Sequence, residues 1–465
     1  MQSIATQQAA WYNIPVIIRT SIRMEGGLRV LETVGVISLG CAKNRVDTEQ
    51  MLHLLREAGY RITDRPADAD VIVVNTCGFI DPAKQESIDT LLEMARYKRD
   101  GRCRLLVATG CLVQRYGPAL REQMPEVDAL LGVGAYPRLA ELLGRAEAGE
   151  RPLACARSEG VFEGPRVLTT PAYTAYVRTG DGCDNRCAYC AIPLIRGPYR
   201  SRPFESVLAE AAALAAEGVR EITFIAQDTT RFGDDLPGGK RLADIIRETC
   251  RLDGVRWVRA LYCYPSRVDE RLLDTLAEEE KACGYLDLPL QHIDAQLLRA
   301  MHRQGTPEEI RALIRRVRER GLTLRTTMIV GFPGETEDAF RRLMDFVEET
   351  RFDRLGAFAF SAEEDTPAAE MPGQVPEDVR QERLDALMRL QARISLENNR
   401  RRVGSTCDVL VERKEGHWYV GRSAMEAPEG DGSVWLRAKR PLAPGMFVPA
   451  RIDGAQVYDV TGVAL

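Results

Sequence analysis

Three cysteines fall within one short stretch, Gly182-Cys183-Asp184-Asn185-Arg186-Cys187-Ala188-Tyr189-Cys190. Thiolates at this spacing can converge on one soft metal centre. A zinc site takes four ligands, commonly as two separated pairs. No fourth cysteine or histidine stands close by, since His292 lies far along the chain. Three cysteines suit a four-iron cluster whose remaining iron is open to a substrate or cofactor. The bland alternative is a loop of three inert thiols. Cysteine is rare, and three in this register favour metal.

A second trio, Cys41, Cys77 and Cys111, has no short spacing. Its members are linked by what precedes them: Val36-Ile37-Ser38-Leu39-Gly40 runs into Cys41, Val71–Thr76 into Cys77, and Leu105–Gly110 into Cys111. Each cysteine therefore ends an expected parallel strand. The carboxyl ends of such strands form the binding edge of an open α/β sheet. Each is also followed by an expected helix, whose amino end favours a thiolate. Chance placement of core cysteines explains one such case better than three, so a second cluster is expected here.

The elements that must position these residues follow from periodicity. The chain has 465 residues, 45% apolar and 28% charged, with a net charge of −5 and twelve cysteines. That length suggests about three domains at about 150 residues each. The composition excludes wholesale disorder. No apolar run is long enough to span a bilayer, and no global basic field points to nucleic acid. No basic region leads into a long apolar stretch near the start, so a cytoplasmic protein with metal or redox cysteines is expected rather than a disulfide scaffold. Residues 1–33 read as a tail. From 34 to 150, apolar runs (Val34–Leu39, Val71–Asn75, Leu105–Thr109, Ala129–Val133) alternate with amphipathic stretches, which predicts an open parallel α/β sheet domain. Residues 151–168 read as a linker. A second α/β region, 169–401, has strand candidates at Glu221–Ala226, Trp257–Cys263, Tyr285–Leu288, Thr323–Val330 and Arg354–Phe360. About six βα units in series suggest a barrel or part-barrel. A charged helix, Pro376–Arg401, leads to residues 402–465. These read as a small all-β barrel with strands at Cys407–Glu412, Trp418–Arg422, Val434–Leu436, Phe447–Asp453 and Val457–Val460.

The form C-x3-C-x-Tyr-C opening a run of βα units resembles the radical S-adenosylmethionine superfamily. The resemblance implies a four-iron four-sulfur cluster on Cys183, Cys187 and Cys190, with S-adenosylmethionine chelated by its open iron and cleaved by one electron to a 5′-deoxyadenosyl radical. It places Tyr189 beside the adenine. Strand-end polar groups are expected to line the cofactor: Gln227 and Asp228, Gln291 and His292, and Arg325, together with the turn Gly331-Phe332-Pro333-Gly334, where glycine lets a backbone approach a ligand. His53, His292, His302 and His417 read as packing or polar contacts. No catalytic residue beyond the cluster ligands is expected. Cys103, Cys155, Cys250, Cys263, Cys283 and Cys407 have no cluster spacing.

The loops Leu39-Gly40-Cys41-Ala42-Lys43-Asn44, Asn75-Thr76-Cys77-Gly78-Phe79-Ile80 and Thr109-Gly110-Cys111-Leu112 resemble the methylthiotransferases, which carry two four-iron four-sulfur clusters and replace a C–H bond with C–S–CH3. The likeness runs from about residue 35 to the end and makes the C-terminal barrel a TRAM-like substrate-binding domain. One branch modifies an adenosine derivative beside the anticodon of tRNA. The other modifies the β-carbon of an aspartate in the twelfth small-subunit ribosomal protein. Ala42-Lys43-Asn44, Gly78-Phe79-Ile80-Asp81 and Gln227-Asp228-Thr229 resemble the ribosomal-protein branch. The C-terminal barrel has eight basic and eight acidic side chains, whereas a grip on RNA phosphates favours a basic surface. The implied partners are that ribosomal protein and an electron donor of flavodoxin or ferredoxin type, with no membrane and no direct tRNA substrate. The barrel is expected to be removable without loss of cofactor cleavage. A zinc-binding RNA module and a non-catalytic iron–sulfur electron carrier are the readings from other classes.

Overall fold

The run Val71-Ile72-Val73-Val74-Asn75-Thr76 is buried at every position, as a central parallel strand covered on both faces must be. The structure, a computed structural model, describes residues 31–157 and 160–465. The described residues form two compact units. One holds those through Pro171 together with Asp181–Asp184 and Cys190–Arg200; the other holds Ala172–Gly180, Asn185–Tyr189 and Ser201–Leu465.

The first unit runs β1 (Thr33–Ser38), α1 (Ala42–Glu57), β2 (Arg61–Ile62), β3 (Val71–Thr76), α2 (Asp81–Ala95), α3 (Tyr97–Asp100), β4 (Leu105–Gly110), α4 (Cys111–Gln123), β5 (Ala129–Leu131), α5 (Leu139–Glu147) and β6 (Leu153–Ala154). The sheet is parallel, in the order β2-β1-β3-β4-β5-β6. Alternate strand residues feed two cores, as the pleat requires. Val71, Val73, Leu105 and Val107 pack with Met51, Leu55, Leu139 and Leu142. Ile72, Val74, Leu106 and Ala108 pack with Leu91, Met94, Leu112 and Leu120.

The sequence expectation differs at two edges. Residues 1–30 of the expected tail lie outside the described residues, but Leu31 is in the core and Thr33 opens β1. Residues 151–168, expected as a linker, carry the edge strand β6. Leu130 N donates to Pro152 O and Gly132 N to Ala154 O, both at 2.9 Å or less. Further along, the buried Glu49 carboxylate accepts from Arg166 Nη1 at 3.2 Å and from Thr169 N at 2.8 Å.

The next elements are β7 (Thr174–Arg178), β8 (Gly180–Asp181), α6 (Ile192–Arg196), β9 (Arg200–Ser201), α7 (Phe204–Ala216), β10 (Glu221–Ile225), α8 (Leu242–Cys250), β11 (Trp257–Ala260), α9 (Glu270–Glu278), β12 (Tyr285–Asp287), α10 (Ala295–Ala300), α11 (Pro307–Glu319), β13 (Thr323–Val330), α12 (Glu337–Thr350), β14 (Arg354–Ala359) and α13 (Glu377–Arg402). In the second unit, six parallel strands form two ladders, β11-β10-β7 and β12-β13-β14. Bonds such as Cys263 N to Asp287 O, 3.0 Å, join β11 to β12. The result is an open part-barrel with α13 packed along β14. Among the described residues no helix is long and apolar enough to cross a membrane.

The C-terminal strands β15 (Thr406–Glu415), β16 (Trp418–Arg422), β17 (Val434–Arg437), β18 (Phe447–Ala455) and β19 (Val460–Ala464) close a barrel in the order β15-β16-β17-β19-β18. Its core is Val409, Val411, Tyr419, Val434, Leu436, Val448, Ile452 and Val460. The last strand begins at Val460 rather than at Val457. Gln456 N donates to Asp459 O, and Asp459 Oδ1 accepts from Ser433 N, so residues 456–459 make the turn.

This barrel is locked to the amino ends of the part-barrel strands. Glu221, Trp257, Tyr285 and Arg354 each open a strand, and each meets the C-terminal barrel. Arg422 Nη2 donates to Glu221 Oε2 at 2.6 Å, Trp257 packs edge-on to Phe447 at 4.7 Å, Tyr285 Oη donates to Asp431 Oδ2 at 2.7 Å, and Arg354 Nη2 donates to Glu426 Oε1 at 2.7 Å. Arg259, fully buried, lies 3.6 Å from Glu221 and donates to Ala424 O. Through its loop 422–431 the barrel supplies the counter-charges of the part-barrel floor.

Candidate functional site: two cysteine triads

In the first unit, β1, β3 and β4 are neighbours in register, with Ser38 opposite Asn75, Asn75 opposite Thr109, and Thr76 opposite Gly110. Cys77 and Cys111 therefore leave adjacent strands side by side. Gly40, at φ +85°, brings the third strand end in. A Cβ there would stand 2.8 Å from Cys77 Cβ and 3.0 Å from its Sγ, so only glycine admits this approach. Cys41 caps α1 and Cys111 opens α4, each at the positive end of a helix. Ser87 clasps Cys77, accepting from its N at 3.0 Å and donating to its O at 2.9 Å. Asn44 Nδ2 ties the ends of β1 and β3 through Leu39 O and Thr76 O.

Electrostatics shows that the thiols crowd together. Burial pushes the Cys77 thiol far up, and the neighbouring Cys111 and Cys41 raise it further. Burial pushes Cys111 to about 11 against the pull of Arg196. A buried thiol of this kind ionises when a cation is there to receive it. Arg196 Nη2 points at Cys111 Sγ, 3.6 Å away, and is held by Asp47 Oδ2 at 2.7 Å and Asn44 Oδ1 at 2.8 Å, while its Nη1 reaches Asp181 Oδ1 at 3.3 Å.

The other triad lies on the loop from Cys183 to Cys190, where all three cysteines are half-buried and none is in a disulfide. Cys183 N donates to Gly197 O. Arg303 Nη1 donates to Cys187 Sγ at 3.7 Å. Asn185 Nδ2 donates to Asp228 Oδ2 at 2.8 Å, beside Gln227 just beyond β10. Burial raises the Asp228 carboxyl despite the hydrogen bonds from Thr230 and Asn185. Tyr189 packs edge-on to Phe332, 6.5 Å between centroids, and Phe332 to Phe360 at 5.3 Å. No three His, Cys, Asp or Glu side chains among the described residues are set to hold a single metal ion. A four-iron cluster spreads its thiolates around a larger body than one ion. The donor sets, all sulfur and three to a site, are the chemistry such a cluster requires.

The expected cofactor contacts divide. Gln291 follows β12 in a left-handed conformation, φ +74°, and is stitched to β13 by Gln291 N to Thr327 O and Ile329 N to Gln291 O. Its carboxamide oxygen is buried and has no hydrogen-bond donor among the described residues. His292 is a polar contact, as expected: its Nδ1 accepts from Asp294 N, and its Nε2 stands 3.3 Å from Glu335 Oε2. Glu335 Oε1 accepts from Gly331 N and Arg383 Nη1 and so holds the Gly331–Gly334 turn. The space beside Gly331 is filled by the Arg380 stem, so packing and φ +72° account for this glycine. Arg325 is a correction. It sits early in β13, its Nη1 bonded to Asp287 Oδ1 at 3.1 Å and its Nε 3.5 Å from Asp431 Oδ1. It belongs to the floor, not to the carboxyl ends of the strands. Arg196, Arg303, Ser87 and Glu335 were not anticipated, because their partners are brought together by the fold and no spacing marks them.

Three family models match: the uncharacterized protein family UPF0004 over residues 33–132, the radical SAM superfamily over 177–347 and the TRAM domain over 403–465. The chain is similar to ribosomal protein uS12 methylthiotransferase RimO of Heliobacterium modesticaldum, 50% identical over 437 residues, covering 93% of this chain and 95% of that one. The counterpart of the same name in Desulforamulus reducens is 48% identical, covering 93% and 99%. Among solved structures, the radical S-adenosylmethionine methyltransferase TsrM of Kitasatospora setae, with cobalamin and a four-iron four-sulfur cluster bound, shares the fold at TM-score 0.52 and 17% identity, covering 84% of this chain and 81% of that one. With half of its residues shared across nearly its whole length, the chain belongs to the ribosomal protein uS12 methylthiotransferase family of radical SAM enzymes.

Proposed function

We propose that this enzyme attaches a methylthio group to the β-carbon of an aspartate in small-subunit ribosomal protein uS12, with two four-iron four-sulfur clusters and S-adenosylmethionine as cofactors. The observation that carries the reading is the 50% identity over 93% of the chain to a uS12 methylthiotransferase, in a chain that carries both cysteine triads. Cys41, Cys77 and Cys111 are the ligands of one cluster and Cys183, Cys187 and Cys190 those of the other. When bound, the clusters supply the electron that cleaves S-adenosylmethionine and the sulfur that is transferred.

The protein's own residues do the positioning. Ser87, Asn44 and Gly40 hold the first triad's strand ends together, and Asp228 holds the second triad's loop through Asn185. Tyr189, Gln227 and Gln291 line the cofactor, next to the turn that starts at Gly331. The buried oxygen of Gln291 supports this role, because an unpaired buried acceptor is costly until a donor arrives. A flavodoxin- or ferredoxin-type protein delivers the electrons, the reaction takes place in the cytoplasm where its ribosomal substrate is found, and tRNA is left unmodified.

The test is mass spectrometry of uS12 and of tRNA nucleosides from a strain lacking the gene and from its parent. The uS12 peptide should carry one methylthio group in the parent and none in the deletion strain. Loss of a methylthio-adenosine instead, with uS12 unmodified in both strains, overturns the reading.

A further inference from the structure

The carboxyl end of β5 lies beside the end of β4 that leads into Cys111, with Leu131 opposite Thr109. Just past β5, the short 3-10 helix Val133–Arg138 brings Tyr136 into the apolar cluster that also holds Cys111, Ala191 and Ile195. Tyr136 is only 1% exposed, and its ring packs against Phe162 at 5.6 Å between centroids. Its hydroxyl oxygen is buried and has no hydrogen-bond partner among the described residues. The hydroxyl is near enough to feel the charges of Asp47, Arg196, Cys111 and Asp181. It therefore sits, unpaired, at the edge of the first triad.

A buried hydroxyl without a partner is costly, and a native fold that keeps one calls for a reason. Packing does not supply it, since the ring of a phenylalanine would fill the same space. A phenol offers one O–H donor. What arrives at this place on loading is a body rich in sulfur acceptors, held by Cys111 itself. Hydrogen bonds to the sulfurs of an iron–sulfur cluster help to set its reduction potential. They favour reduction, because the reduced cluster carries more negative charge and is the stronger acceptor. We infer that the Tyr136 hydroxyl donates a hydrogen bond to a sulfur of the cluster held by Cys41, Cys77 and Cys111. It stabilises the loaded and reduced state, and it is an unmet donor when the cluster is absent. The inference rests on the assignment of that triad as cluster ligands made above.

The experiment compares the unaltered full-length chain with Tyr136→Phe, which removes one oxygen and keeps the ring. Each is measured cluster-free and after anaerobic reconstitution. Without clusters, Tyr136→Phe should melt no lower than the unaltered chain, since no hydrogen bond is lost. With clusters, both are titrated with titanium(III) citrate and followed by the electron paramagnetic resonance of the reduced clusters. One electron passes from titanium(III), which becomes titanium(IV), to a cluster, and no covalent bond is made or broken. Full-length variants with either triad changed to alanine assign each wave. Loss of one hydrogen bond should move the wave of the first triad down by about a fivefold change in the ratio of reduced to oxidised cluster, about 40 mV for one electron. The other wave should stay in place.

A cluster-free Tyr136→Phe chain that melts lower than the unaltered one shows that the hydroxyl already has a partner and overturns the inference. So does a first wave that does not move down, or two waves that move together. A variant that melts like the unaltered chain when cluster-free, yet fails to hold iron on the first triad alone, supports the contact. An unaltered chain that holds no iron on Cys41, Cys77 and Cys111 overturns the ligand assignment itself, whereas a full cluster with an unmoved wave overturns only the role of Tyr136.

Discussion

Replacing Glu426 by Gln tests whether charge clamps the C-terminal barrel to the part-barrel floor. Glu426 Oε1 accepts from Arg354 at 2.7 Å and from Arg402 at 2.6 Å, and Oε2 accepts from Ser423 N at 2.9 Å and Oγ at 2.6 Å. Burial alone pushes this carboxyl up, yet the Arg402 and Arg354 guanidiniums bring it from 4.5 down to about 2. At about 1.4 kcal/mol for each tenfold change in proton affinity, that gap corresponds to about 3 kcal/mol of folding stability at neutral pH. Losing one partner of a buried pair costs about 3–5 kcal/mol, so the two magnitudes agree. The amide keeps the shape and faces two arginines without a charge. Because the folded carboxyl is depressed, its contribution is complete above pH 4.5 and is lost as the pH falls toward 2. Urea unfolding followed by tryptophan fluorescence, in which Trp257 against Phe447 reports the interface, should show Glu426→Gln weaker by about 3 kcal/mol at pH 7. The difference should shrink steadily below pH 4.5. A loss under about 1 kcal/mol, or a difference that stays constant down to pH 3, would refute the clamp.

Gly40→Ala should strain a left-handed position by about 1–2 kcal/mol and drive a methyl into Cys77. The expected result is loss of the first cluster's share of the iron by elemental analysis, with the radical-generating cluster retained; full iron content would contradict the close packing. Removal of residues 402–465 should give aggregated or strongly destabilised chain in a solubility and melting assay, since Glu221, Arg259 and Arg354 lose their partners, and a stable truncated enzyme that still cleaves S-adenosylmethionine would show the floor to be dispensable. The cluster-free protein should lose stability as the pH rises from the ordinary thiol value of 9.0 toward about 11, because the folded state holds the Cys111 proton more tightly than the unfolded one; alkaline melting curves that stay flat across that interval would count against buried neutral thiols.

The strand ends that carry Cys41, Cys77 and Cys111 were legible because a fully apolar run is a local signal and each cysteine sits at its end. The helix that starts at Cys111 was expected there, but the break within it was not legible: Pro118 lies inside it and Tyr116 departs from helical geometry. Arg325 was misjudged because a polar residue in a barrel strand reads the same from sequence whether it faces the catalytic end or the floor. Its direction is decided by Asp431, more than a hundred residues away. Arg422 and Glu221 are 201 residues apart, and no local pattern connects them. The arginines on the two triads escaped notice for the same reason. Isolated charges gain meaning only when the fold delivers their partners.

The floor of ion pairs divides the C-terminal barrel into a constrained side and a free side. Residues Arg422 to Asp431 answer to Glu221, Arg259, Tyr285 and Arg354, so a change there must be matched within the part-barrel. On β15, β16 and β17, by contrast, Lys414 lies over the Tyr419 ring, Trp418 packs edge-on to Trp435 and Arg437 lies over Trp418, contacts made within the barrel itself. Lineages can therefore redraw the barrel's outer surface for a new macromolecular target while the socket stays fixed. A graft that exchanges those outer faces but keeps the socket loop would inherit the recipient's alignment with the reaction centre.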